Sequence, residues 1–130
     1  MRLNIFTPEK TILENKECQE LLVPSVKGYL GILPLHAPLV SLLTAGVLKY
    51  LPKNSEKWES LALGWGYLEV QLENVRILAE SAETKESLDR AKTEKDLKKI
   101  LLQLEDIRLE PSQREKLEKQ KLLMESQLEL

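Results

Sequence analysis

Apolar and polar residues alternate with a period of two around Leu3/Ile5, from Trp58 through Leu61/Leu63, and across Leu68/Val70/Leu72. That period predicts strands with one buried face. Turn formers punctuate the chain at Thr7-Pro8-Glu9-Lys10, Pro24-Ser25, Pro52-Lys53-Asn54-Ser55, Gly64 to Gly66 and Glu73-Asn74. Seven or more short strands at such spacing predict a flattened β-sandwich or barrel. Its core is expected to hold Leu3, Ile5, Leu21, Val23, Leu30, Ile32, Val47, Leu61, Leu63, Leu68, Val70, Val75 and Ile77.

From about Thr84 the pattern changes. Glycine disappears, Pro111 is the only proline, and Glu, Lys, Leu, Gln and Arg dominate, all good helix formers. Leu97, Ile100, Leu101, Leu104 and Ile107 follow the i, i+3, i+4, i+7 spacing of one apolar stripe. Pro111 disfavours helical geometry at Glu110 and marks a break. Ser112-Gln113-Arg114-Glu115 has the Ser-x-x-Glu form of a capping box, so a second helix is expected to start there. Its stripe is thinner: Leu117, Met124 and Leu128. The expected fold is α+β, an N-terminal sandwich over residues 1–83 followed by an antiparallel two-helix hairpin over 84–130. Short helices depend on tertiary packing, so the hairpin must lie on the sandwich, on another protein, or on each in turn. Its acids and bases nearly balance, which ties it to no single location. Two docking states close in energy would let a ligand or partner choose between them.

One segment fits neither pattern. Gly28-Tyr29-Leu30-Gly31-Ile32-Leu33-Pro34-Leu35-His36-Ala37-Pro38-Leu39 combines glycines, prolines, the only histidine and large apolar residues. It predicts a short strand, Tyr29 to Leu33, running into a rigid apolar loop. Loops normally lie in water. An apolar one is tucked under something or offered to a partner.

This segment resembles the signature of the epsilon subunit of F-type ATP synthases. Leu3 to Lys10, Gly46-Val47-Leu48, Leu63 to Val70 and Asn74 to Glu83 resemble further stretches of the same family in order and spacing. The resemblance implies a non-catalytic subunit of the rotor, in the central stalk. Its sandwich would dock between the gamma subunit and the proton-carrying membrane c-ring. Tyr29, Leu30, Gly31, Leu35, His36, Ala37 and Pro38 would form that interface. Tyr29 stands where many members have glutamate, and Leu35 where many have glycine. The hairpin would extend along gamma toward the catalytic alpha and beta subunits and restrain ATP hydrolysis. Arg90, Arg108, Arg114, Lys116, Lys119 and Lys121 are its regulatory cations under this reading, against the alternative of a solvated helix face. Some members bind ATP through an Ile/Leu-Asp-x-x-Arg-Ala motif. Arg90 and Ala91 fit it, whereas Glu86 and Ser87 occupy its apolar and aspartate positions. No cofactor is required, and a regulatory ATP is left open.

Composition narrows the classes. Net charge is -2 over 130 residues, which argues against a nucleic-acid surface or a polybasic anchor. The longest mostly apolar run, Leu39 to Leu48, is about half the ~20 residues of a membrane helix. Cys18 is alone, so no intrachain disulfide forms. These features point to a soluble, unprocessed, intracellular protein that reaches a membrane only through partners. The resemblance implies the cytoplasmic face of the bacterial inner membrane, with the stromal side of the thylakoid as the lesser alternative. His36, without a nearby cysteine cluster, reads as a backbone-held or interface residue rather than a metal ligand. Cys18, flanked by acids, reads as inert. Trp65, between glycines, is partner surface or core filler. A competing class is a ligand-binding sandwich whose hairpin dimerises it, with a concave pocket lined by Trp58, Trp65 and Tyr67.

Overall fold

The computed structural model describes residues 1–130. In chain order it contains β1 (Arg2–Phe6), β2 (Thr11–Ser25), β3 (Gly28–Ile32), β4 (Leu39–Leu43), β5 (Gly46–Pro52), β6 (Glu59–Leu63), β7 (Gly66–Gln71), β8 (Asn74–Ala79), β9 (Ala82–Glu83), α1 (Arg90–Leu104) and α2 (Pro111–Leu128). β2 is the strand that joins two layers. Its first half pairs with β1, which runs parallel to β8, and β7 and β4 complete that layer. Its second half pairs with β3 and β5, followed by β6 and β9. The α+β fold expected from the sequence is therefore the fold observed.

Alternation sets which residues face inward. On β8, Val75, Ile77 and Ala79 are buried while Asn74, Arg76 and Leu78 are exposed. The central cluster, which includes Leu3, Ile5, Leu21, Leu48, Leu63 and Leu68, contains no residue from either helix. Leu30 departs from expectation: it is only partly buried against the core, because β3 pairs with β2 alone at the margin of its layer. β3 also ends at Ile32, leaving Leu33 exposed. Gly66 marks the closest backbone approach, since a side chain there would run into the carbonyl of Leu78 on β8.

The hairpin differs from the sequence reading in two places. α1 stops at Leu104, so Ile107 lies beyond it and is 93% exposed. Of the expected stripe only Ile100 is buried. The capping box does not form. Pro111 takes the first helical position, Glu110 is the N-cap in extended backbone, and Ser112 already lies inside the first turn. Proline suits that position because its fixed φ is helical and its missing N–H would have had no partner. α2 is the helix that lies on β5 and β6, and α1 packs on α2. Neither helix is long and apolar enough to cross a membrane.

Candidate functional site

The segment Leu33–Pro38 turns sharply at one end of the sandwich. The His36 amide donates to the Leu33 carbonyl at 3.1 Å, closing a four-residue turn with Pro34 and Leu35 at its centre. Leu35 has φ of 66°, the left-handed value that the third position of a type II turn demands. Its side chain is 81% exposed. His36 Nδ1 lies 2.7 Å from the Ala37 carbonyl, so the ring is held by backbone, as one of the two sequence readings expected. Leu35, His36, Ala37 and Pro38 line one shallow groove with Leu72 and Arg2. Tyr29 is exposed but lies elsewhere, in a groove beside Lys49 and the last residues after α2, Glu129 and Leu130. Leu30 and Gly31 sit between these regions on β3. The expected interface residues thus divide into two surfaces.

A third surface was not anticipated from the sequence. Strand register places Leu42, Tyr67, Leu78 and Phe6 in one row across β4, β7, β8 and β1. Their inward neighbours Leu43, Leu68, Ile77 and Ile5 are buried, so this row faces out. Leu42 is 61% exposed, and Val40 beside it is exposed as well. Arg76 Cζ lies over the Phe6 ring, 5.8 Å from its centroid. The signal was present as apolar residues at both odd and even positions of Leu39–Leu43, which a single buried face does not explain.

The hairpin cations are mostly occupied within the chain. Arg90 Nη1 donates to the Leu128 carbonyl at 3.1 Å. Arg114 donates to the carbonyls of Leu104 at 3.1 Å and Asp106 at 2.9 Å. Arg108 pairs with Asp106 at 3.2 Å. Hydrogen bonds from the Arg108 backbone amide and then its side chain hold the Asp106 carboxyl below the usual range. Lys119 stands 5.5 Å from the Trp65 ring centroid. Lys116 borders a groove with Leu102 and Leu109 at the turn of the hairpin, and Lys121 forms no ion pair. Ala91, next to Arg90, is exposed.

Other candidates find plain roles. Cys18 is buried, and desolvation pushes its thiol pKa up, against the pull of the N-terminal ammonium; an inert cysteine is what this environment makes. Trp65 is half-buried and serves as the face on which Lys119 rests. Trp58 and Trp65 line separate grooves, and Tyr67 stands on the outer row, so the three do not form one pocket. No three His, Cys, Asp or Glu side chains converge to hold a metal ion.

A closed β-sandwich with an appended helical hairpin, presenting apolar surface at one end and on one face, is the class these features define. Residues 1–85 match the family described as ATP synthase, Delta/Epsilon chain, beta-sandwich domain. The ATP synthase epsilon chain of Bdellovibrio bacteriovorus is 44% identical over 108 residues, covering 80% of this chain and 77% of that one. That of Synechococcus sp. (strain CC9311) is 31% identical over 122 residues, covering 94% and 88%. The chain belongs to the ATP synthase delta/epsilon family. A similar fold occurs in the Euglena gracilis mitochondrial ATP synthase solved with its c-ring, with a TM-score of 0.84 at 21% identity, over 99% of this chain and 79% of that one.

Proposed function

We propose that this chain is a non-catalytic central-stalk subunit of an F-type ATP synthase, joining the gamma subunit to the membrane c-ring and restraining ATP hydrolysis through its hairpin. The observation that carries this reading is the outward row Leu42, Tyr67, Leu78 and Phe6. Contiguous exposed apolar surface on a small domain marks a place where another protein sits. The hairpin lies on β5 and β6 in the other layer, so it leaves this row free. Gamma takes the row, and the groove of Leu35, His36, Ala37 and Pro38 meets the ring. Tyr29, Leu30 and Gly31 connect the two along β3. The sandwich over 1–83 is the gripping body, and the hairpin over 84–130 is the regulatory part. The assembly stands on the cytoplasmic face of the bacterial inner membrane, held there by its partners.

When the hairpin leaves the sandwich, Arg108, Lys116, Lys119 and Lys121 become available to acidic segments of the alpha and beta subunits. Arg90 and Ala91 keep the place of the nucleotide motif. In the closed hairpin the Arg90 guanidinium is engaged by Leu128, so ATP could use it only after a rearrangement.

Truncation tests the reading. The cut belongs after Glu83, because β9 pairs Ala82 and Glu83 with β6. The shortened chain should assemble with gamma and preserve coupled ATP synthesis, while ATP hydrolysis by the assembled enzyme rises. A shortened chain that folds but does not join gamma would sink it.

A further inference from the structure

The two helices compensate each other's ends. Neither α1 nor α2 carries a basic residue in its last turn, where a cation would favour the exposed carbonyls of the helix terminus. Each receives one from the other helix. Arg90, the first residue of α1, donates to Leu128, the last residue of α2. Arg114, in the first turn of α2, donates to Leu104, the last residue of α1, and to Asp106 just beyond. The clamp is reciprocal and closes both ends of the antiparallel pair. Between the hairpin and the sandwich the inventory is thinner. No hydrogen bond or ion pair joins residues 90–130 to residues 1–83. The polar contribution there is the Lys119–Trp65 cation–π contact, and no helical residue enters the sandwich core.

We infer that the hairpin detaches from β5 and β6 as a closed pair: the reciprocal arginine clamp keeps α1 and α2 together while the segment between Glu83 and Arg90 swings. The joint that gives first is α2 against the sandwich, and the turn between the helices opens only in a later, separate step. Arg90 and Arg114 are then internal parts of the moving body, and a partner that meets it first encounters the other cations. This deepens the regulatory reading above, but its test needs only the purified chain, so it stands or fails independently of any effect on hydrolysis.

The test uses the full chain with Trp58→Phe, so that Trp65 is the only indole. Trp65 emission reports detachment, and amide exchange of α1 and α2 reports separation of the helices. In a urea titration the emission change should come at lower urea than the loss of helix protection. Lys119→Ala should shift the emission midpoint downward and increase the detached fraction about two- to fivefold, without changing helix exchange relative to the parent's detached state. Arg114→Ala or Arg90→Ala should speed exchange in the last turn of the opposite helix about two- to fivefold, with Trp65 emission unchanged in the absence of urea. Coincident emission and exchange transitions would overturn the inference. So would a loss of Trp65 contact in Arg114→Ala without denaturant, because detachment and opening would then be one event.

Discussion

Leu35 and Leu72 hold the same unusual backbone conformation and line the same groove. Leu35 has φ of 66° and Leu72 has φ of 53°, and their side chains are 81% and 78% exposed. Leu72 opens the two-residue turn between β7 and β8, where Gln71 pairs with Asn74. Hairpin turns and type II turns usually place glycine or asparagine at such positions, since a Cβ there crowds the following carbonyl. The fold therefore carries two leucines that are disfavoured locally and bury little. Strain of this kind persists where the side chain serves a contact that the free chain lacks.

Leu35→Gly and Leu72→Gly should each stabilise the isolated chain. Relief of the left-handed strain is worth ~1–2 kcal/mol, and the added freedom of glycine in the unfolded chain offsets ~0.4–1 kcal/mol of that. Thermal unfolding should shift upward by a few degrees. Binding of the same variants to the c-ring, measured in reconstituted complexes, should weaken. A variant that is more stable and binds unchanged would leave the two leucines without a role at that groove.

Gly66→Ala should act in the opposite sense. An added methyl at this position meets the Leu78 carbonyl and the Ala79 Cα on β8, neither of which can rotate away. Overpacking against backbone costs ~1–3 kcal/mol. Urea denaturation of the variant should show a lower midpoint, with β7 and β8 amides exchanging faster than those of β5.

The sequence made the sandwich legible because burial on one face of a strand imposes alternation, and Asn74-Val75-Arg76-Ile77 displays it up to Leu78, which is apolar yet faces out. The break at Pro111 was legible for an equally local reason. What failed to show was anything decided by neighbours distant in sequence. Ser112 has the letters of a cap, yet Pro111 already starts the helix and Arg114 turns to the carbonyls of α1 instead. Ile107 has the spacing of the stripe but falls past the helix end. The outer row needed strand register to bring Leu42, Tyr67, Leu78 and Phe6 together, and no window along the chain contains it. The family resemblance groups Tyr29 with His36 in one interface, whereas in the free chain Tyr29 lies beside the residues that follow α2.

Cys18 offers a direct check of the core. It is 2% exposed, and burial raises its thiol pKa, so both access and thiolate fraction oppose reaction. A thiol reagent at neutral pH should label the native chain slowly and the urea-unfolded chain rapidly. Rapid native labelling would mean that the sheet around β2 opens far more readily than its packing implies.

The Tyr50 hydroxyl gives the chain a stability term that disappears in alkali. Tyr50 is buried on β5 and donates a 2.5 Å hydrogen bond to the Glu59 carboxylate on β6. Burial raises its pKa, and the bond to Glu59 raises it further, since ionisation would set two negative charges together. The folded chain therefore holds this proton more tightly than the unfolded chain does. Stability from this group is fully present below the ordinary tyrosine pKa of about 10. Above that value the unfolded chain releases the proton first, and the contribution is lost as pH rises toward the folded value. Tyr50→Phe removes the hydrogen bond and should cost ~1 kcal/mol at neutral pH, because Glu59 is exposed and water replaces the donor. The same variant should lose less stability than the parent between pH 9 and 11, a range set by that ordinary value of about 10. Denaturant midpoints of the two chains, measured across this range, should converge as pH rises; parallel curves would mean that Tyr50 ionises as freely in the fold as outside it.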